Sequence, residues 1–300
     1  MLLEEIIILG TVTSLVYALL ALGFTLIYGV SGVINLAHGA LVMVGAYIFG
    51  ALVGFFPSLF PAGFSHVAVV VLAVILTTIL TGIIGSIFYR LTLHSILGDQ
   101  IATLVVSITG CMLFAQLIWL VFGATLTARF PVNLFPGYRT LLGVTVLNDQ
   151  TLGAVVSIIL FVSLSIFIAK SRTGMAMKAL SQDIEAAMLM GISVEGMYML
   201  TSAIAGAIAS IAGVFIASIA GAASGDMWLS ALSISFSVVI LGGLGNIKGT
   251  IVGAVIFGYS VEAITLLGGG GLVASFPFIV LIIVLLIRPK GLFGKHVEME

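Results

Sequence analysis

The sequence predicts an all-α, polytopic membrane helix bundle with eight or nine transmembrane helices and no soluble domain. Three observations predict it. Of 300 residues, 61% are hydrophobic and 7% charged, whereas soluble domains run near half apolar and a quarter charged. Between Glu5 and Arg90 there is no Asp, Glu, Lys or Arg, too little charge to cover a soluble fold of that length. The long segments are apolar on every side rather than alternating, which excludes a membrane β-barrel in practice. The 36 glycines suit closely packed membrane helices.

Apolar windows of about 20 residues cross a bilayer. Nine are read, at 6–28, 34–56, 66–89, 100–122, 151–169, 197–219, 229–246, 250–268 and 272–287. "MLLEEIIILG" has acids where a signal peptide needs a basic end, so it is read as the first span, retained. "GVSGVINLAHG" (29–39) is either a tight turn or a helix broken within the membrane, and this decides between eight and nine spans. Lysine and arginine stay on the cytoplasmic side. With the central loop inside, Arg90, Lys170, Arg172, Lys178, Lys248, Arg288, Lys290 and Lys295 fall inside, eight of the ten basic residues. Arg129 and Arg139 fall outside. Nine spans then place the C-terminus in the cytoplasm and the N-terminus outside. The chain reads as one transmembrane domain, 1–300, with an outer loop at 123–150 and an inner loop at 170–196.

The inner loop holds six of the 21 charged residues: Lys170, Arg172, Lys178, Asp183, Glu185 and Glu195. Ser181 can cap a helix there, with Asp183 and Glu185 in its first turns, where free N–H groups favour negative charge. Ile184, Ala187, Met188 and Gly191 follow at helical spacing as an apolar stripe, which Met177 and Leu180 extend backwards. So short a helix is marginal alone in water and needs a surface for its apolar side. That surface is either a partner or the underside of its own bundle. Gly191 suits the end of the helix, and the Ala186–Ala187 pair suits close approach.

Other candidates carry two readings each. Asn35 and His38 lie three apart; they line a gate or bind substrate, or they tie a turn by bonding freed carbonyls. Ser230, Ser233 and Ser237 line a wet passage or bond between helices. Glu262 lies near enough to the outer end of its span to reach the interface. Arg129 and Arg139, with Phe130, Phe135 and Tyr138, form either a landing surface for a partner or a loop lying along headgroups. "GALVMVGAYIFG" (39–50) and "GTIVGAVIFG" (249–258) are a weak internal echo. Cys111 is the only cysteine, so no disulfide forms within the chain. No phosphate-binding loop or HExxH occurs. Nothing points to an enzyme, to a metal or to nucleic acid.

"EAAMLMG" (185–191) resembles the E-A-A-x-x-x-G loop of ABC importer permeases. Four blocks, 23–47, 174–193, 241–258 ("LGGLGNIKGTIVGAVIFG") and 288–294 ("RPKGLFG"), together resemble the branched-chain amino-acid permease family in its shorter-subunit branch. The resemblance implies a permease subunit forming half of a translocation pathway. It implies a second, longer permease as partner, two cytoplasmic ATP-binding subunits and an extracytoplasmic substrate-binding protein, in a prokaryotic plasma membrane. ATP would be used by those partners, and this chain would carry no cofactor. Ser181, Gln182, Asp183, Glu185, Ala186, Ala187 and Gly191 would then meet the ATPase, and Asn35, His38, Ser233 and Ser237 are the candidates for the pathway. Relatives carrying urea, short amides or other amino acids leave the substrate open. A secondary transporter is disfavoured by the scarcity of charge deep in the spans. A passive channel is disfavoured by the docking element.

Overall fold

Helices at every predicted window are found in the computed structural model, which describes residues 2–59, 65–96, 98–123, 130–131, 134–288 and 290–294. The helices are α1 (Leu2–Ser31), α2 (His38–Leu59), α3 (His66–Phe88), α4 (Gln100–Phe122), α5 (Asn148–Lys170), α6 (Arg172–Leu180), α7 (Ile184–Leu189), α8 (Val194–Ile219), α9 (Met227–Gly242), α10 (Ile247–Leu266) and α11 (Phe276–Ile287). α3 continues through a π turn at Tyr89–Leu93 and a 3-10 turn at His94–Ile96. Strands β1 (Phe130–Pro131), β2 (Tyr138–Leu141), β3 (Val144–Leu147) and β4 (Ala222–Ala223) form two small antiparallel pairs, β1 with β4 and β2 with β3. Ser65, Asp99, Ser193 and Asn246 cap α3, α4, α8 and α10, each accepting a first-turn N–H.

Seven of the described helices are long and apolar enough to cross a membrane. The other two predicted spans are shorter: α9 has 16 residues and α11 has 12, about 24 and 18 Å at 1.5 Å per residue. The turn before α10 falls at 243–246, four residues earlier than the predicted 247–249, so Ile247 and Lys248 already belong to the helix.

α1, α2 and α8 form the centre of the bundle. Two-thirds of the apolar window of α2 and of α8 is buried (67% each), against 28% for α4 and for α5. The outer helices turn uniformly apolar stripes outward, such as Val67, Val71, Ile75, Ile79, Ile83 and Ile87 of α3, which is the pattern a lipid solvent selects. Small residues bring an outer helix onto the central ones. A Cβ added to Gly82 would lie 2.9 Å from the Ala203 carbonyl, and one added to Gly206 would lie 2.8 Å from that of Thr81. α3 and α8 therefore touch backbone to backbone.

The bundle has two ends. At one, β2 and β3 cover the start of α1, where Val144, Val146 and Ala154 pack with Val12. At the other, α6 and α7 lie under the ends of α1 and α5 and the start of α8. Arg90, Lys170, Arg172, Lys178, Lys248, Arg288 and Lys290 belong to this α6–α7 face, whereas Arg139 stands on β2 at the opposite, hairpin face. Arg129 and Lys295 lie outside the described residues.

Gly82→Leu is expected to wedge α3 from α8 and destabilise the bundle by about 1–3 kcal/mol, the usual cost of overpacking. Thermal denaturation in detergent measures it. Gly54, with nothing within 4 Å of an added Cβ, is the control. Gly54→Ala should leave stability unchanged or raise it slightly.

Candidate coupling site

The inner-loop element is two short helices rather than one. Ser181 ends α6, its hydroxyl donating to the Lys178 carbonyl at 2.8 Å. Asp183 is the cap of α7, accepting the Ala186 N–H at 3.0 Å. The expected N-cap at Ser181 is thus displaced by two residues, because the chain turns through Gln182 before the second helix begins. Gly191 has a φ of +81°, the left-handed conformation that closes the helix and that a side chain resists.

The turn also divides the expected apolar stripe. Met177 and Leu180 are buried under their own bundle, and so is Ala187, which joins the main core. Ala186 and Glu185 face outward. Met188, Leu189 and Met190 form an outward tip, with Leu189 88% and Met190 82% exposed. Asp183 and Glu185 flank this tip. Behind it, the Ile192 N–H donates to the Ala187 carbonyl at 3.1 Å, and Ser193 at once caps α8. α7 is therefore fastened to a central helix.

The four blocks quoted above come together at this face. Leu292 and Phe293 N–H groups donate to the Leu241 and Gly242 carbonyls at 2.9 and 3.0 Å, strapping "RPKGLFG" to the end of α9. The Asn246 side chain caps α10 and donates to the Phe293 carbonyl at 3.1 Å. A Cβ added to Gly29 would lie 3.0 Å from the Gly245 carbonyl, so the end of α1 packs on the α9–α10 turn. Ile184 of α7 shares a cavity with Tyr28, Ser31 and Gly32.

Residues 29–39 do not choose cleanly between the two sequence alternatives: α1 and α2 remain separate helices, each long enough to cross a membrane, as nine spans require, yet the connection between them re-enters the bundle. α1 ends at Ser31, and the chain returns into the protein before α2 begins. The His38 Nε2–H donates to the Leu20 carbonyl at 3.0 Å. Leu20 lies 11 residues before the end of α1, about 16 Å along the axis, so α2 starts deep in the bundle. Asn35 and His38 do not share a helix face. The Asn35 Oδ1 accepts the Ala37 N–H at 3.0 Å, and the Cys111 thiol donates to the Leu36 carbonyl at 3.1 Å. Both side chains bond backbone, but only His38 bonds a carbonyl, as the turn-tying reading has it; Asn35 accepts an N–H instead. His38 is fully buried, and its Nδ1 has no partner among the described residues.

The serines of α9 do not act together. Ser230 and Ser233 donate to carbonyls of their own helix, Met227 and Leu229. Ser237 is buried and donates to the Pro277 carbonyl at 2.7 Å, seating α11. Glu262 accepts the Thr13 hydroxyl of α1 at 2.6 Å.

One organising residue is absent from the candidates that the sequence offers. Asp149, buried at the start of α5, accepts the Phe135 N–H at 2.8 Å, the Leu134 N–H at 3.3 Å and the Ser218 hydroxyl. It ties the hairpin-face loop to the end of α8. Tyr138 and Leu142 of that loop are exposed, and Arg139 donates to the Asn148 side chain.

The arrangement is that of an integral membrane helix bundle: discontinuous helices inside, an exposed apolar tip on one face. The comparisons with known proteins agree. A family model described as branched-chain amino acid transport system, permease component, matches residues 6–286, and the chain belongs to that family. It is 28% identical over 298 residues to the high-affinity branched-chain amino acid transport system permease protein BraD of Pseudomonas aeruginosa, covering 95% of this chain and 94% of the relative. It is 28% identical over 302 residues to LivH of Escherichia coli, with the same coverage. A probable branched-chain amino acid transport permease protein LivH of Methanocaldococcus jannaschii is 30% identical over 318 residues, covering 97% of this chain and 93% of the relative. No solved structure matches the chain.

Asp183→Ala should remove the cap of α7 at a cost of about 1 kcal/mol. Amide exchange at 186–190 should then speed about fivefold, while Asp183→Asn stays near wild type. Mass-spectrometric hydrogen exchange reads both.

Proposed function

We propose that the chain is a permease subunit of an ATP-driven importer for branched-chain amino acids, and that α7 is its handle for a cytoplasmic ATPase. The observation that carries the second part is the exposed Met188–Leu189–Met190 tip. Three large apolar side chains in water are unfavourable by roughly 25 cal/mol per Å² of apolar surface. A groove in a partner would remove that surface, and Asp183 and Glu185 would bond its rim. The substrate class rests on the printed names of the relatives.

In this reading the α6–α7 face is cytoplasmic, as the seven basic residues there favour, and the N-terminus lies outside. Two ATPase subunits closing on ATP would press α7. Because α7 runs directly into α8, the push would enter the centre of the bundle. A second, longer permease would complete the pathway, and a substrate-binding protein would dock on the hairpin face, where Arg139 and Tyr138 stand out. Asn35, His38, Ser233 and Ser237 would act by shaping the helices that border the pathway rather than by touching substrate in this conformation.

Vesicles test the importer reading. Uptake of leucine should require ATP inside and an added binding protein, and should survive a protonophore. Uptake by this chain alone would defeat it. For the handle, Leu189→Glu with Met190→Lys should leave insertion and thermal stability intact, because both side chains are exposed. The ATPase should no longer co-purify. Glu185→Lys with Gly191→Asp should likewise lose ATPase attachment or transport. Full transport in both double variants would remove the assignment to α7.

A further inference from the structure

At the α6–α7 face, the end of α1 and the starts of α4, α7 and α8 border an open-sided cavity of about 400 Å³. That volume is within the range of small-molecule sites, about 300–1,000 Å³. We propose that this cavity binds a free branched-chain amino acid from the cytoplasmic side, and that the bound molecule slows transport by joining α7 to the broken segment between α1 and α2. The proposal rests on the importer reading above.

The lining has the chemistry of such a ligand. Among the described residues that line it, Asp99 is the one ionic group, with no lysine, arginine or histidine. The Asp99 Oδ1 accepts the Ile101 and Ala102 N–H groups at 3.0 Å each. Its Oδ2 is free to accept from an ammonium group, a charge-assisted bond. The Gln100 amide and the Tyr28 hydroxyl also line the cavity, and neither has a hydrogen-bond partner among the described residues. Both can donate to a carboxylate. Ile34, Leu104, Ile184 and Val194 supply an apolar wall for an aliphatic side chain. An ammonium acceptor, carboxylate donors and a branched-aliphatic wall are the three parts of leucine, isoleucine or valine.

A second observation is independent of this composition. Tyr198, at the start of α8, lines the same cavity and is 3% exposed, yet its hydroxyl has no partner among the described residues. Its ring meets that of Tyr89 edge-on at 6.2 Å, and the Tyr89 hydroxyl is also unpartnered. A buried hydroxyl without a bond is unfavourable by about 1–3 kcal/mol. The hydroxyl itself is covered, and both tyrosines border a second, much smaller void beside Ser31 and Thr201, so a ligand that drew the Tyr198 ring into the larger cavity would offer that bond.

The position gives the site its effect. Ile184 is the first residue of α7, and Gly32, Val33 and Ile34 belong to the break. A molecule touching both resists any stroke that parts them. Its differential affinity for the closed cavity sets the size of the inhibition.

The test uses the complete transporter in proteoliposomes, with binding protein and leucine outside and graded leucine loaded inside with ATP. Internal leucine should lower initial ATP hydrolysis several-fold. Asp99→Asn keeps the cap of α4, since Asn caps as well as Asp, but removes the charge. It should raise the inhibitory leucine concentration at least tenfold without changing uptake into leucine-free vesicles. Leu104→Trp should crowd the apolar wall of the cavity and weaken the inhibition as strongly. Equilibrium dialysis of labelled leucine against the purified complex, without binding protein, should show the same two losses. Uptake with hydrolysis indifferent to internal leucine would overturn the proposal, as would inhibition unchanged in both variants. No uptake by the complete wild-type transporter would instead defeat the importer reading, and this proposal with it.

Discussion

A backbone that leaves its helix inside a bilayer must find every hydrogen bond within the protein, because lipid offers none. The segment 32–37 is where this constraint bears hardest. Its solution uses three helices at once. Asn35 folds back on the Ala37 N–H, Cys111 of α4 reaches the Leu36 carbonyl, and His38 reaches the Leu20 carbonyl of α1. Main-chain bonds from His38 to Asn35 and from Gly39 to Leu36 start the new helix. An unmatched backbone group there would be unfavourable by several kcal/mol. The polar residues at membrane depth are thus accounted for first as partners of backbone.

Satisfying the break also fixes where it sits. His38 lies against Gly23, where an added Cβ would come 2.6 Å from the imidazole. Only glycine at that position lets the ring reach the carbonyl behind it. α11 has a similar origin. It begins with the Phe276 ring tilted against that of Phe257 at 5.2 Å, ten residues into α10, and with Ser237 holding the Pro277 carbonyl. Two helices therefore start from the interior, each after a glycine-bearing segment and each pinned by a side chain from a neighbour. Such discontinuous helices are tolerated at membrane depth where protein surrounds them.

Much of this was legible in the sequence, but unevenly. Hydropathy found every long helix, because a lipid solvent imposes the same demand on each turn. The four blocks behind the family resemblance proved to be the parts that meet at one face. Depth was not legible: a window of apolar residues does not say whether His38 enters at the surface or beside Leu20. Cap assignment failed between Ser181 and Asp183, since either residue type caps a helix and only the turn at Gln182 separates them. The stripe through Met177, Leu180 and Ala187 was recognised, yet its partner is largely the bundle itself. Asp149 gave no signal, because an acid opening a helix is ordinary and its two N–H donors lie 14 and 15 residues earlier.

The two faces are fastened differently, and that difference bears on how force would travel. At the hairpin face a single carboxylate gathers the loop, and its bonds run through side chains. At the α6–α7 face the fastening is backbone on backbone: Gly29 on Gly245, Gly242 on Gly249, Gly243 on Gly294. Close-packed main chains have few side-chain rotamers to absorb a displacement, so they move as a unit. α7 joins α8 through the Ala187–Ile192 bond and the Ser193 cap. α8 in turn presses Ser210 and Gly213 onto Gly45 and Val42 of α2, a few residues from the break. A push on the exposed tip would therefore reach the interior start of α2 through stiff contacts between central helices, without depending on the lipid-facing ones.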